Sequence, residues 1–358
     1  LLEQRAVTVE SVVDGNFMIV DSSGHNQNYK VICKQNPSYF LKQIRSEDTR
    51  SIVSLQREAS CYWLARYDAD FAPLAALLPD YYLYDANQNA LVIELLPEAE
   101  NLSEYHRRLG RFPPEVARLL GQGLSIYHRQ VGSAWKESTK NTIFPKSLPW
   151  ILAVHQYSPI QFDSFSGANS QLLEIVKQYP EFQTELDKLS KQWQVNSFIH
   201  GDMKWDNCMV YPNGNENGAI RLKIVDWELA DFGDACWDIG SIFQAYLCFW
   251  IMSMQITSDV KPEFWMENAR YSIEEIQPAM REFWVAYTES LHIPATAVTQ
   301  LLNRSVQYGA ARMIQTVYEY MTYSSKITPS GICMLQVSMN ILTNTEEAVR
   351  ELIGIGAK

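Results

Sequence analysis

Cysteine is scarce in this chain. The six residues Cys33, Cys61, Cys208, Cys236, Cys248 and Cys333 form no C-x-x-C pair and no ligand-like spacing with histidine. A disulfide scaffold and a Cys/His metal site are therefore not expected, and buried reduced thiols are. Positive charge is also short: 30 Lys and Arg against 41 Asp and Glu leave a formal net charge of −11. That balance argues against a nucleic-acid partner, whose phosphates need a basic face. It is compatible with a cationic substrate, although many cytoplasmic proteins are simply acidic. Long apolar runs are missing too. The most apolar stretch, Ile242 to Met254, is short and interrupted by Gln244 and Ser253, so it reads as a buried helix and no membrane association is expected. There is no charged start followed by an apolar core to mark a signal peptide. Neither internal repeats nor low-complexity tracts are visible. The expectation is a cytoplasmic protein whose 358 residues suffice for two lobes of roughly 100 and 250 residues.

What the chain does have is one dense stretch from Phe198 to Glu228. It reads FIHGDMKWDNCMV, then YPNGNENG, then AIRLKIVDWE. His200, Asp202, Lys204 and Asn207 fall on a loop ahead of a short apolar strand, Cys208 to Tyr211. Asn213-Gly214 and Asn217-Gly218 supply the positive φ that a hairpin turn needs. A second strand, Arg221 to Val225, delivers Asp226 at its end. One hairpin thus gathers three oxygen-bearing side chains, Asp202, Asn207 and Asp226. Moving a phosphoryl group needs magnesium held by a carboxylate and an amide oxygen, and a further carboxylate to accept the proton of an attacking hydroxyl.

The spacing H-x-D-x-x-x-x-N followed by a strand-borne Asp resembles the catalytic and metal-binding segments of the protein-kinase-like superfamily. The Gly of HGD and the IVDWE in place of D-F-G are more narrowly similar to the aminoglycoside phosphotransferase and choline kinase branch. The resemblance implies a two-lobed α+β fold, with a small antiparallel-sheet lobe over residues 1–96 and a large, mainly helical lobe over residues 97–358. It also implies ATP and Mg²⁺ as cofactors. Asp202 would be the proton acceptor, with Lys204 beside it as in D-L-K-x-x-N loops. Asn207 and Asp226 would hold the metal.

The remaining nucleotide contacts are expected upstream. Strands are read at Val7–Val13, Phe17–Val20 and Tyr29–Cys33, joined by Asp14-Gly15 and by Ser22 to Asn26. VICK places Lys34 at the end of the third strand, similar to V-A-I-K, although a lysine there is otherwise an ordinary exposed charge. Ile52 to Arg66 has helical spacing at Ile52, Leu55, Ala59, Tyr62 and Trp63, with Ser46 or Asp48 as cap. Glu58 in REA resembles the glutamate that pairs with the strand lysine. A full G-x-G-x-x-G is absent, which leaves backbone amides near Gly15 to meet the phosphates. After strands at Tyr81–Tyr84 and Ala90–Leu95, the Glu94 carbonyl and the Leu96 amide resemble the hinge that holds adenine, and Pro97 ends the strand.

Beyond Asn101 the pattern is helical: Glu115–Gln130, one or two helices over Ser170–Trp193, and amphipathic segments at Trp237–Met254, Ile273–Leu291, Ala295–Tyr323 and Ile332–Leu352. Asn141 to Phe165 reads as an irregular insertion. A literal D-F-G occurs at Asp231-Phe232-Gly233, but Asp226 directly ends a strand and is preferred as the metal residue. Asp238 is expected to buttress the catalytic loop, and His128 and His200 to be structural. Two acceptors remain open, the hydroxyl of a small molecule or a Ser/Thr of a peptide in lanthipeptide-type maturation. A non-catalytic nucleotide-binding scaffold is the third reading, disfavoured because Lys34, Asp202, Asn207 and Asp226 are all present.

Overall fold

The computed structural model describes residues 8–22, 27–34, 37–45, 48–96, 98–132, 143–157, 166–212, 220–256 and 264–356. The expected turn residues 23–26, the cap Ser46, the strand stop Pro97, the hairpin tip 213–219 and much of the 141–165 insertion lie outside the described residues.

The chain opens with a short helix, α1 (Val9–Val13), where a strand was expected. V-E-S-V-V has strand-like composition, but such composition reflects fit to a half-buried pleated surface. Here Val9 and Val13 are exposed, and the Asp14 amide donates back to Glu10 O at 2.8 Å, closing a helical turn. The first three strands are therefore β1 (Phe17–Asp21), β2 (Gln27–Cys33) and β3 (Tyr39–Gln43). Next come α2 (Thr49–Tyr67), β4 (Tyr81–Asp85) and β5 (Ala90–Glu94). They form an antiparallel sheet in the order β1-β2-β3-β5-β4, with Lys42 of β3 opposite Asn28 on one side and Leu91 on the other. Asp48 caps α2 by accepting from the Arg50 amide and the Ser51 hydroxyl. Leu55, Ala59 and Tyr62 face the core, while Trp63, expected on the same face, is half exposed.

The chain then runs through β6 (Glu100–Asn101), α3 (Leu102–Leu109), α4 (Pro114–Gln130), α5 (Gly167–Gln178) and α6 (Pro180–Gln192). Strands β7 (Ser197–Ile199), β8 (Cys208–Pro212), β9 (Ile220–Ile224) and β10 (Asp231–Gly233) follow. β8 pairs with β6 and β9, and β7 pairs with β10, so two small sheets frame the stretch from Phe198 to Glu228. Helices α7 (Ala235–Ser253), α8 (Ile273–Leu291), α9 (Ala295–Tyr320), α10 (Pro329–Thr343) and the short α11 (Thr345–Ala348) follow, with a π turn over Val349–Ile353, so the segment expected over Ile332–Leu352 is broken at Asn344.

The apolar stretch expected over Ile242 to Met254 belongs to α7. By length and composition α7 passes as a membrane span, with a mean hydropathy of 1.2, but 89% of that window is buried inside the fold. It is a core helix. Gly240 of α7 meets α9 at Gly309: a Cβ on Gly240 would lie 2.3 Å from Ser305 O and 2.6 Å from Gly309 N. Only glycine permits that approach, and both obstacles are backbone. Four cysteines are buried, as expected, whereas Cys33 and Cys333 are half-buried; all six are free thiols.

Because neither backbone can yield at this crossing, Gly240→Val is expected to cost about 3 kcal/mol by overpacking. A urea melt checks this. A midpoint equal to that of the unaltered protein would show that α7 and α9 do not need the close contact.

Candidate active site

The catalytic loop begins where β7 ends. The Asp238 carboxylate, buried near the start of α7, accepts the amides of His200 at 2.7 Å and Gly201 at 3.1 Å, and the Tyr127 hydroxyl at 2.8 Å. This is the buttress expected of Asp238. Burial alone would raise its carboxyl, but His128, His200 and these donors hold it below the usual range. His200 is fully buried, with Nε2 2.9 Å from Val225 O, and His128 sits against Asp238 and Tyr287. Both histidines are structural here. Gly201 has φ +82°, and a Cβ would lie 2.3 Å from Leu229 O, so the residue between His200 and Asp202 has to be glycine.

Beyond that turn, Asp202 is buried and shares its Oδ2 with Lys204 Nζ at 2.7 Å. Asn207 Nδ2 donates to Asp202 O at 2.9 Å, which makes its amide oxygen the atom it can offer a cation. Val225 N donates to Asn207 O at 2.9 Å and so clamps the end of the second strand to the loop. The next residue, Asp226, stands at φ +69° in the left-handed region, a conformation rare outside glycine and concentrated at functional sites.

Asp226 Oδ1 accepts from Lys42 Nζ at 2.7 Å, and Lys42 donates also to both oxygens of Glu58, at 2.7 and 2.8 Å. Two carboxylates keep the buried ammonium charged, against a burial effect that acts the other way. Burial would push Asp226 up, but Lys42, joined by Lys204 and His200, holds it below its ordinary value. Neighbouring Glu228 is raised, first by burial and then by Asp226.

Two expectations are thereby corrected. The lysine that pairs with Glu58 is Lys42; Lys34 follows β2, is exposed, and among the described residues engages through its backbone amide, on Asn16 O at 2.9 Å. The first expected strand is a helix, so the third strand is the next one along. For the same reason Gly15, at φ +62°, lies ahead of β1 and not between the first two strands, and among the described residues nothing beyond its chain neighbours lies within 4 Å of where its Cβ would be. β1 ends at Asp21 and β2 begins at Gln27, so Gly15 does not lie between them. Glu94 is the last residue of β5; its amide donates to Asp80 O and that of Leu95 to Ser38 O, and Leu96 lies beyond the strand. Asp231 accepts the amides of Lys146, Ser147 and Phe232 at 2.7–2.8 Å and is buried, which leaves Asp226 as the carboxylate beside the loop.

One neighbour was not anticipated. Arg312, deep in α9, donates through Nη2 to Asp202 Oδ1 and through Nη1 to Glu319 Oε1 at 2.8 Å. A lone arginine in the apolar run Y-G-A-A-R-M-I was the available signal, since arginine is almost never buried unless paired. Arg312, Lys204 and Glu319 line a cavity of about 820 Å³ together with Trp205, Phe249 and Tyr320. It opens beside Asp202.

The sequence matches the family model of the phosphotransferase enzyme family, APH, over residues 18–256. The chain belongs to that family, and it is a kinase-type phosphotransferase. No curated protein matches it. Among solved structures, choline kinase LicA from Streptococcus pneumoniae is 14% identical with a TM-score of 0.50, over 93% of this chain and 96% of that one. Amicoumacin kinase hAmiN is 12% identical with a TM-score of 0.51, over 96% of this chain and 95% of that one. A choline/ethanolamine kinase family protein from Mesorhizobium loti is 12% identical with a TM-score of 0.50, over 98% and 96%. At these identities the likeness shows a shared kinase-like fold.

Two predictions follow from the geometry. Lys42→Met is expected to lower phosphotransfer by about 10²-fold, whereas Lys34→Ala stays within about twofold. The reverse order would return the role to Lys34. His106 on α3 packs its ring 4.7 Å from that of Trp205, and burial pushes it down to about 4. Its folded value lies below the ordinary ~6.5, so its neutral form is undisturbed above ~6.5 and stability is lost as pH falls from there toward 4, by about 2 kcal/mol at pH ~5. Urea midpoints against pH should show this slope in the unaltered protein and a flatter one in His106→Phe; equal slopes would contradict it.

Proposed function

We propose that the protein transfers the γ-phosphate of ATP, with Mg²⁺, to an alcohol hydroxyl of a small molecule. The nucleotide would lie between the lobe of residues 1–96 and that of residues 97–358. The observation that carries this reading is the convergence of five residues, Lys42 and Glu58 from one part of the chain and Asp202, Asn207 and Asp226 from another. Lys42 joins Glu58 to Asp226, and Asn207 joins the Asp202 loop to the strand that ends beside Asp226.

The donor set suits magnesium. Asp226 and the Asn207 amide offer hard oxygen, and no group of three His, Cys, Asp or Glu forms an all-protein cage among the described residues. Magnesium is commonly held by one or two carboxylates, with phosphate oxygens and waters completing the shell. When bound it would neutralise charge on the transferring group. The likeness to the amicoumacin kinase, whose structure holds AMP-PNP and Ca²⁺, supports the same cofactor class.

In this reading Lys42 binds phosphate oxygens, with Glu58 holding it in place. Asp202 Oδ2 orients the acceptor hydroxyl and takes its proton late in the transfer, so a carboxylate suffices as base. Lys204, bonded to that oxygen, lies beside the incoming phosphoryl group. The cavity next to Asp202 receives the acceptor. Glu94 O and the Leu96 amide would read the adenine edge. Lys204, two residues after Asp202 as in D-L-K-x-x-N loops, also supports a second reading, a Ser or Thr of a peptide as acceptor.

Asp202→Asn should lower turnover by about 10²–10⁴-fold while nucleotide affinity is kept. ADP release checks the first and AMP-PNP binding the second. Unchanged turnover would refute Asp202 as the base. Mass gain of one phosphoryl group, screened over hydroxylated amines, antibiotics and Ser/Thr peptides, separates the two acceptors.

A further inference from the structure

Asp202 is held on both of its oxygens. Oδ2 accepts from Lys204, and Oδ1 accepts from Arg312, 110 residues further along the chain. The other end of the guanidinium is also fixed: Nη1 donates to Glu319 Oε1, which accepts in addition from Gln315 Nε2 at 2.9 Å. The Arg312 side chain is 2% exposed and that of Glu319 37%. A continuous path of charged groups therefore runs from the cavity wall at Glu319, through Arg312, to Asp202. The Arg312 Nε is buried and has no partner among the described residues.

A purely structural reason for this arrangement is weak. A buried ion pair contributes little more to stability than apolar residues of the same volume. α9 already packs on α7 at the Gly240–Gly309 crossing, and Met313 and Ile314 on either side of Arg312 are buried in the core. What the guanidinium does supply is direction. With Oδ1 anchored, the Asp202 carboxylate cannot rotate about its own axis, and Oδ2 is the oxygen presented beside Lys204. The Gly240–Gly309 contact sets the depth of the anchor, because Arg312 lies one turn beyond Gly309 on the same helix.

We propose that Arg312 is a positioning residue for phosphoryl transfer, and that Glu319 on the cavity wall holds Arg312 in the orientation that aims Asp202. The inference rests on the reading of Asp202 as the base. Glu319 is then the point at which the wall of the acceptor cavity is connected to the reacting centre. A change there alters turnover without touching the nucleotide.

The experiment uses the full chain with ATP and Mg²⁺ and reads ADP release, alongside the dissociation constant for AMP-PNP with Mg²⁺. Arg312→Gln, Arg312→Lys and Glu319→Gln are each measured alone and combined with Asp202→Asn. Expected are a kcat loss of about 10-fold or more for Arg312→Gln, partial recovery for Arg312→Lys and a loss of about 2–5-fold for Glu319→Gln. The AMP-PNP constant stays within about twofold, and none of the three adds to the loss in Asp202→Asn. Should Arg312→Gln fail to fold, Arg312→Lys and the surface-reaching Glu319→Gln decide the matter. Wild-type kcat in both of those overturns the proposal. Losses that add in full to Asp202→Asn, or that follow AMP-PNP affinity, overturn it as well. Wild-type turnover in Asp202→Asn removes the base itself, and this inference with it.

Discussion

The Lys42 ammonium is the contact on which the arrangement depends. It sits between Glu58 of α2 and Asp226 at the end of the second catalytic strand, within 2.8 Å of both carboxylates. A buried cation is costly unless paired, so burying Lys42 requires that both carboxylates be near. One belongs to the N-terminal sheet region and the other to the catalytic hairpin. Satisfying one charge thus brings two distant parts of the chain into a fixed relation. The carboxylates in turn need Lys42: without it, Glu58, Asp226 and Glu228 would be three acidic groups sharing a partly dry space.

A second constraint works from below. Asp238 grips the His200 and Gly201 amides, and Gly201 turns where no side chain fits. The loop is thereby set before any ligand arrives, with Asp202 aimed between Lys204 and Arg312. On the proposed reading, the geometry of the transfer is a property of the folded chain, and the part left to ligands is charge neutralisation.

Much of this was legible in the sequence, and the reason is locality. His200 to Asp226 is one hairpin, so spacing alone placed Asp202, Asn207 and Asp226 together, and the strand-ending position distinguished Asp226 from Asp231. The Asp238 buttress lies one short strand and a helix start away. What was misread depended on a strand count. Val9 to Val13 has strand-like residues but pairs with no strand among the described residues, and that single error moved the lysine from Lys42 to Lys34 and placed Gly15 between the first two strands. Arg312 was not found because its partner lies 110 residues earlier, and the packing of α9 brings them together. The cavity is equally non-local, built from α3, the catalytic loop, α7 and α9.

The central claim is that Asp226 and Asn207 hold a divalent cation against a nucleotide that Lys42 also touches. Titrating AMP-PNP with and without Mg²⁺ into the unaltered protein and into Asp226→Asn tests it most directly. The account predicts that Mg²⁺ tightens binding in the unaltered protein by about tenfold or more, and that this gain disappears in Asp226→Asn. The same Mg²⁺ gain in both proteins would contradict it.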